Sequence, residues 1–308
     1  MIPLCAPENA KLPTALALGS FDGLHLGHKK VIKAILNEPI GVPTVVSFWP
    51  HPREVLFGES RLRLDLPSEK TLLLEPLGIE QLVLVPFNKS LACKTAEAFV
   101  DEILIKTLHA KHIAVGENFR FGRNREGDIS TLKRMGASKD IKISIIPILE
   151  DNYGRLSSSR VRKALTNGDL KHANYLLQRP YTFRGKVERG KGLGKKIGWP
   201  TANLKIDGRK FLPSLGVYAA WASIDNQKER FSAVMNMGPQ PTIDPNAPSA
   251  VEVHLLNKEI NLLGHELIIE PVQRMRSQKK FESIEALCNQ ITSDSILAKE
   301  ILSKTCKI

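Results

Sequence analysis

An α/β domain followed by a small antiparallel β-barrel with a terminal helix is the fold class this sequence predicts. Three observations predict it. From residue 14 to about 177, short apolar runs alternate with segments of helical period. Near residue 180 the texture changes to Gly- and Pro-rich sequence with two-residue alternation. From about 281 to 302 a helical stripe returns. The chain has 308 residues, enough for two cores, and the texture change divides it into domains 1–180 and 181–308.

The elements follow in order. "TALALGSF", "VPTVVSFW", "EQLVLVPF", "KHIAVG" and "IKISIIPI" are short, apolar and rich in Val and Ile, as buried parallel strands are. Between them "GHKKVIKAIL" puts Val31, Ile32, Ile35 and Leu36 on one stripe, and "TAEAFVDEILIKTL" does so with Phe99, Val100, Ile103 and Leu104 behind an N-cap at Thr95. Such alternation implies a parallel sheet with helices on both faces. Two short helices follow: "SSRVRKALTN", stopped by Gly168, and "DLKHANYLL", opened by Asp169. Beyond "QRPY", "GVYAAWASI" and "RFSAVMNMG" flank a turn at Asp225-Asn226, and "AVEVHLL" and "HELIIEPV" flank another polar connection. The last helix carries Phe281, Ile284, Leu287 and Ile291.

Composition excludes several classes. No apolar run is long enough to span a bilayer, and "MIPLCAPENAKLP" lacks the basic-then-apolar order of a secretory signal. Cys5, Cys93, Cys288 and Cys306 are isolated and form no zinc-ligand spacing, which fits reduced thiols in the cytoplasm. The net charge is +12, which suits anionic partners. It gathers in two glycine-threaded clusters: Arg120, Arg123 and Arg125, then Arg184, Lys186, Arg189, Lys191, Lys195 and Lys196. A nucleic-acid binder would interleave basic residues with aromatics on one face, but aromatics are only 6% here, so phosphorylated small molecules are the expected partners.

"GSFDGLHLGH" (19–28) sits between the first strand and the first helix, at the carboxyl end of a parallel strand, where open α/β sheets bind ligands. A helix N-terminus there offers free N–H groups to phosphate. His25 and His28, three apart, can donate to phosphate oxygens as charge builds on phosphorus. "RLSSSRVR" (155–162) opens a later helix, where Ser158 or Ser159 serves either as a cap or as a phosphate ligand beside Arg162. The H-x-G-H pattern, followed by this second run, resembles the two signatures of the nucleotidyltransferase superfamily, with Ser159 standing where Thr is usual. "SFWPHPREVL" and "VGENFRFGRNREGD" narrow the resemblance to the adenylylating half of the bacterial bifunctional riboflavin kinase/FAD synthetase family. It implies a Rossmann-like nucleotidyltransferase domain with nucleotide contacts from Gly19, Phe21, Asp22, Gly27, Arg155, Ser158, Ser159 and Arg162. It further implies flavin contacts from His51, Asn118, Phe119 and Phe121. The two phenylalanines read equally well as core.

"RGKGLGKKIGWPTANL" (189–204) is neither a Walker loop nor a Rossmann fingerprint, because Ile197 breaks the latter and the context is all-β. A basic Gly-rich flap leading into P-T-A-N resembles the riboflavin kinase domain of the same family. The resemblance implies that Gly190, Gly192 and Lys195 cover ATP phosphates, and that Thr201 and Asn203 hold Mg²⁺ and the nucleotide. In "AVEVHLL", Val251, Val253 and Leu255 share one face and Glu252 and His254 the other; Glu252 is either a surface residue or, by the family match, the general base. The resemblance also implies a flavin contact from Arg276. The implied activity is bifunctional: riboflavin and ATP give FMN, and FMN and ATP give FAD and pyrophosphate. The chain departs from the family pattern at Gln178 (often Gly), Asn261-Leu262-Leu263-Gly264 (often acidic-Leu-Tyr-Gly) and Arg276-Ser277-Gln278 (often Arg-Asp-Glu).

Overall fold

The structure, a computed structural model, describes the chain apart from residues 38–39, 191–193, 195–197, 226, 228, 239–250, 259 and 306–308. It separates into two compact units, Met1–Ser158 and Ser159–Ile308.

In the first unit β1 (Leu4–Cys5), β2 (Thr14–Leu18), β3 (Val42–Trp49), β4 (Gln81–Pro86), β5 (Ala110–Gly116) and β6 (Lys142–Ile146) form one parallel sheet, in the order β1-β4-β3-β2-β5-β6. The helices are α1 (Leu26–Leu36), α2 (Pro52–Phe57), α3 (Pro67–Leu74), α4 (Lys89–Ala92), α5 (Ala96–Ala98, running on through π-type turns over Phe99–Thr107) and α6 (Ile129–Ser138). A hairpin, β7 (Glu150–Asp151) and β8 (Gly154–Arg155), precedes α7 (Ser158–Thr166). Every residue of β2 is buried, and its alternation feeds two cores. Leu16 and Leu18 meet Phe99, Leu104, Leu132 and Met135 on one face, while Ala15 and Ala17 meet Val31, Ile32, Ile35 and Leu74 on the other. The small side chains at 15 and 17 leave room for α1 against the sheet. Chain order runs outward from β2 through β3 and β4, then returns to its other side at β5. The crevice that this reversal opens lies at the carboxyl ends of β2 and β5.

In the second unit α8 (Leu170–Leu177) follows α7, and a closed barrel follows: β9 (Phe183–Glu188), β10 (Ala202–Lys205), β11 (Gly216–Ile224), β12 (Phe231–Met237), β13 (Val251–Leu255) and β14 (Glu266–Arg276), in the order β10-β13-β12-β11-β14-β9. α9 (Ile284–Thr305) covers the outside through Ala298 and Leu302, which pack with Val217, Ala219 and Val234. The segment before the barrel is tied to it: Ser214 N–H donates to Leu165 O at 3.0 Å, and Tyr181 N–H to Asn174 Oδ1 at 2.8 Å.

Several elements differ from the sequence reading. "FRGKVE", which holds Arg184 and Lys186 of the second basic cluster, is strand β9, and its Arg184 pairs with Glu266 at 3.0 Å. Its buried positions alternate as Phe183, Gly185 and Val187, and the glycine hid that pattern. α2 and α3 were missed because each opens on a proline and is too short for an apolar stripe. Gln178 sits at the C-cap of α8 with φ 53° and ψ 36°, a left-handed conformation that explains why Gly suits this position.

Candidate active sites

The loop between β2 and α1 builds the first site. Phe21 and Leu24 take left-handed backbone angles (φ 46° and 45°), and both side chains are buried, which turns the chain sharply into α1. His25 is the N-cap of α1 and His28 lies one turn further. Their rings stack at 3.7 Å between centroids, and the Phe21 ring meets His28 edge-on at 5.4 Å. The glycines serve this packing: a β-carbon at Gly27 would stand 3.1 Å from His25 Cε1, and one at Gly19 would stand 3.3 Å from Phe21 Cζ. Asp22 braces the loop and also lines the pocket beside it. Its Oδ1 accepts from the Leu64 and Asp65 amides at 2.9 and 3.3 Å, and its carbonyl accepts from Ser158 Oγ at 2.7 Å.

Electrostatics keep the histidine pair neutral. Burial, then the nearby charge of Arg155, lowers His25 to about 4. Burial, then the charges of His25, Lys70 and Arg155, pushes His28 well below its ordinary value. Both Nδ1 atoms are enclosed and have no hydrogen-bond partner among the described residues. Two enclosed imidazoles short of partners, beside a helix N-terminus, form a site that an anion completes.

The depressed values also set a pH dependence of stability. As pH falls below 6.5, the unfolded chain takes up protons on these residues before the folded chain does. The stability contributed is full above 6.5 and is lost as pH falls through about 4. For His25 alone the loss by pH 5 is about 2 kcal/mol. The first unit is therefore expected to melt at a lower temperature at pH 5 than at pH 7. His25→Ala/His28→Ala should flatten that slope, which calorimetry across this range measures.

A pocket lies beside the loop, lined among others by Ser20, Ser47, Trp49, His51, Arg63 and Lys70. His51 caps α2: its Nδ1 accepts from Arg53 N–H at 3.2 Å while Glu54 accepts from the His51 amide at 2.8 Å. Burial, then Arg61 and Arg63, lowers His51 to about 4, so the ring is neutral with its proton on Nε2. Arg63 bonds Glu54 at 2.5 Å and lies 5.2 Å over the Trp49 ring, and the buried Lys70 donates to Ser20 O at 3.0 Å. Sequence reasoning missed Trp49, Arg63 and Lys70. The only signal was a pair of cations close to "WPHP", with no spacing rule to single them out.

The other predicted residues of this half fall as follows. Asn118 is exposed just past β5, and its Oδ1 lies 3.3 Å from where a Gly116 β-carbon would be. Phe119 stacks on Phe121 at 5.5 Å, but Phe121 is 6% exposed and packs on Phe99 in the core. Arg155 is exposed in the β7–β8 hairpin. In the second unit Ser159 is exposed, and the Arg162 guanidinium lies 5.8 Å over the Phe211 ring.

The second site is built on the outer face of the barrel. Val251, Val253 and Leu255 point inward, and Glu252 and His254 outward. Asn203 of β10 is registered directly opposite Glu252, so the two side chains are cross-strand neighbours. Thr201 is exposed immediately before β10. His254 is anchored to Pro200 O at 2.8 Å and meets the Trp199 ring edge-on. Gly190 and Gly194 come close to this row: a β-carbon at Gly190 would lie 2.1 Å from Asn203 Nδ2, and one at Gly194 would lie 3.2 Å from Thr201 Oγ1. Gly192 and Lys195 lie outside the described residues. Arg276 is held in a bidentate pair with Asp294 of α9, at 2.9 and 2.6 Å, and Asp294 is 4% exposed.

The contact at Gly190 carries a prediction. Gly190→Ala must displace the Asn203 side chain, and the histidine loop belongs to the other unit. Of the two conversions that the sequence resemblance implies, riboflavin phosphorylation is expected to fall by about tenfold or more, with adenylylation of supplied FMN unchanged. Separate assays of the two conversions measure this.

The FAD synthetase family model matches residues 8–160 and the riboflavin kinase family model matches residues 177–302. The bifunctional riboflavin kinase/FMN adenylyltransferase of Haemophilus influenzae is 35% identical over 298 residues, covering 92% of this chain and 93% of that protein. That of Bacillus subtilis is 36% identical over 301 residues, covering 94% and 92%. A crystal structure described as a macrolide-efflux protein from Streptococcus pneumoniae has a TM-score of 0.82 at 29% identity, covering 97% of this chain and 98% of its own. No helix among the described residues is long and apolar enough to cross a membrane. With identity above a third across more than nine-tenths of both chains, this protein belongs to the bifunctional riboflavin kinase/FMN adenylyltransferase family.

Proposed function

We propose that this chain makes FMN and then FAD in the cytoplasm, with residues 181–308 phosphorylating riboflavin and residues 1–180 adenylylating the product. The observation that carries this reading is that each unit holds its own reactive cluster: stacked, partner-deficient histidines in one, and the Asn203–Glu252 row in the other. The isolated cysteines fit the cytoplasmic setting.

In the kinase step the riboflavin 5′-hydroxyl oxygen bonds to the γ-phosphorus of ATP as the bond to ADP breaks. Glu252 takes the hydroxyl proton. Thr201 and Asn203 hold the nucleotide phosphates, and Gly190 lets the flap lie against Asn203. The neutral oxygens of Thr201 and Asn203, beside the Glu252 carboxylate, are the hard donors that suit Mg²⁺. When bound there, the ion would neutralise phosphate charge. The pair Arg276–Asp294 supports the position of α9 against the end of β14, so Arg276 is proposed to shape the flavin end through that helix.

In the adenylylation step an FMN phosphate oxygen bonds to the α-phosphorus of a second ATP, and pyrophosphate leaves. His25 and His28 donate to the phosphate oxygens and stabilise the charge that builds there. Gly19, Phe21, Asp22 and Gly27 fix the shape of the histidine loop, and Ser158 ties the start of α7 to it. Arg155, Ser159 and Arg162 are proposed phosphate ligands on the strength of their chemistry. His51, Asn118 and Phe119 are proposed to line the flavin, with Phe121 supporting Phe119 from behind.

The test is a time course with purified protein, riboflavin, ATP and Mg²⁺, resolved by chromatography. FMN should appear first and FAD after it, with one ADP per FMN and one pyrophosphate per FAD. Formation of neither flavin nucleotide would overturn the reading.

A further inference from the structure

Lys70 of α3 is 7% exposed, and neither reaction step described above uses it. An ammonium group taken out of water is costly unless it is paired and hydrogen-bonded. Burial lowers the pKa of Lys70, while the carboxylates of Asp22 and Asp65 raise it and so favour its charge. Its Nζ donates to Ser20 O at 3.0 Å. Ser47 Oγ, near the carboxyl end of β3, donates to the same oxygen at 3.1 Å. A carbonyl oxygen has two acceptor positions, and here both are filled.

The peptide that carries this oxygen leads into Phe21, whose backbone is left-handed (φ 46°) and whose ring meets His28 edge-on at 5.4 Å. A non-glycine residue persists in that conformation only where its surroundings over-determine it. Before it, Gly19 N–H is fixed to Val46 O at 3.1 Å; after it, Asp22 Oδ1 is fixed to the amides of Leu64 and Asp65. Lys70 supplies the anchor between these two. Ser47 alone would serve the carbonyl, but a lysine adds charge. Asp22 is 6% exposed, and its carboxylate is close enough to act on His25. Uncompensated, it would repel phosphates brought to the loop, and the Lys70 cation offsets it.

We propose that Lys70 is a positioning residue for adenylylation: its Nζ fixes the Ser20 carbonyl at the entry to the left-handed turn, which sets Phe21 and the histidine pair, and its charge offsets that of Asp22. This rests on His25 and His28 as the adenylylating pair. Lys70 acts through the loop and not on the reacting phosphates.

The experiment uses the full-length protein, with kcat and KM measured for FAD formation from supplied FMN and ATP. Lys70→Ala is expected to lower kcat by about tenfold or more, with both KM values within about twofold of wild type and riboflavin phosphorylation unchanged. Lys70 lines the pocket beside the loop, so the space it vacates is open to small solutes. Propylammonium matches the deleted atoms from Cγ to Nζ and should raise kcat of this variant by about threefold or more. Tetramethylammonium, a cation with no N–H, should not. Ser47→Ala removes the other donor to the same oxygen and keeps the cation, so it preserves the test if Lys70→Ala folds poorly. Its expected loss is about threefold in kcat, with KM unchanged. Wild-type kcat in both variants would overturn the proposal. A raised KM for FMN or ATP at unchanged kcat would make Lys70 a substrate ligand and overturn it too. So would a loss that propylammonium leaves unrepaired or that tetramethylammonium repairs equally, and so would equal loss of both conversions. A wild-type protein that makes no FAD from FMN would instead sink the adenylylation reading, and the proposal with it.

Discussion

Replacing His25 and His28 together by alanine is expected to lower FAD formation from supplied FMN by at least about a hundredfold, the usual loss when one such transition-state donor is removed. FMN formation from riboflavin should stay within about twofold of wild type, because the pair belongs to the first unit and Glu252 to the second. The stacked geometry sharpens the expectation for the single variants. Each ring packs on the other at 3.7 Å, so His25→Ala removes a donor and also the support of His28. The single variants should therefore lose nearly as much as the double, as residues acting as one unit do. FAD formation at the wild-type rate in the double variant would end the assignment. Equal loss of both conversions would show that the loop holds up the fold rather than the reaction.

Glu252→Gln is expected to give the second large effect, a fall in kcat for FMN formation of about a hundredfold to ten-thousandfold. The substitution keeps shape and removes the ability to accept a proton. Its neighbours can still be served, since a Gln side chain lies as well between Asn203 and Asn236 as a Glu does. ATP and riboflavin binding should then be largely retained, and adenylylation of supplied FMN unchanged. Unaltered FMN production would exclude Glu252 as the base, and among the residues near Thr201 another acid would have to be sought.

The parts of this molecule that could be read from sequence are those written in local periodicity. β2, α1 and α5 each carry their core stripe within one window, so Ala15 to Leu18, Val31 to Ile35 and Phe99 to Leu104 fall on the faces that their spacing predicts. Glu252 and His254 point outward for the same reason. The histidine pair was legible because Gly, His and a strand–helix junction coincide in ten residues. What could not be read depends on partners far along the chain. The carboxylate of Asp22 accepts from the amides of Leu64 and Asp65, more than forty residues away, which no local pattern shows. Arg276 pairs with Asp294 on α9, a partner that no local pattern shows. Phe121 could equally have been core or flavin wall, and only the packing on Phe99 places it inside. Arg63 and Lys70 gave no signal at all, because a buried cation is recognised by what surrounds it.

The central claim is that two independent sites on one chain act in sequence through FMN. Mixing two defective proteins tests it most directly: Glu252→Gln, lacking the kinase step, with His25→Ala/His28→Ala, lacking adenylylation. Each alone, given riboflavin, ATP and Mg²⁺, should make little FAD; the second should accumulate FMN. The mixture should convert riboflavin to FAD at a rate approaching that of wild type at the same site concentration. A mixture that accumulates FMN without making FAD, or a Glu252→Gln protein that alone makes FAD from riboflavin at the wild-type rate, would contradict the account.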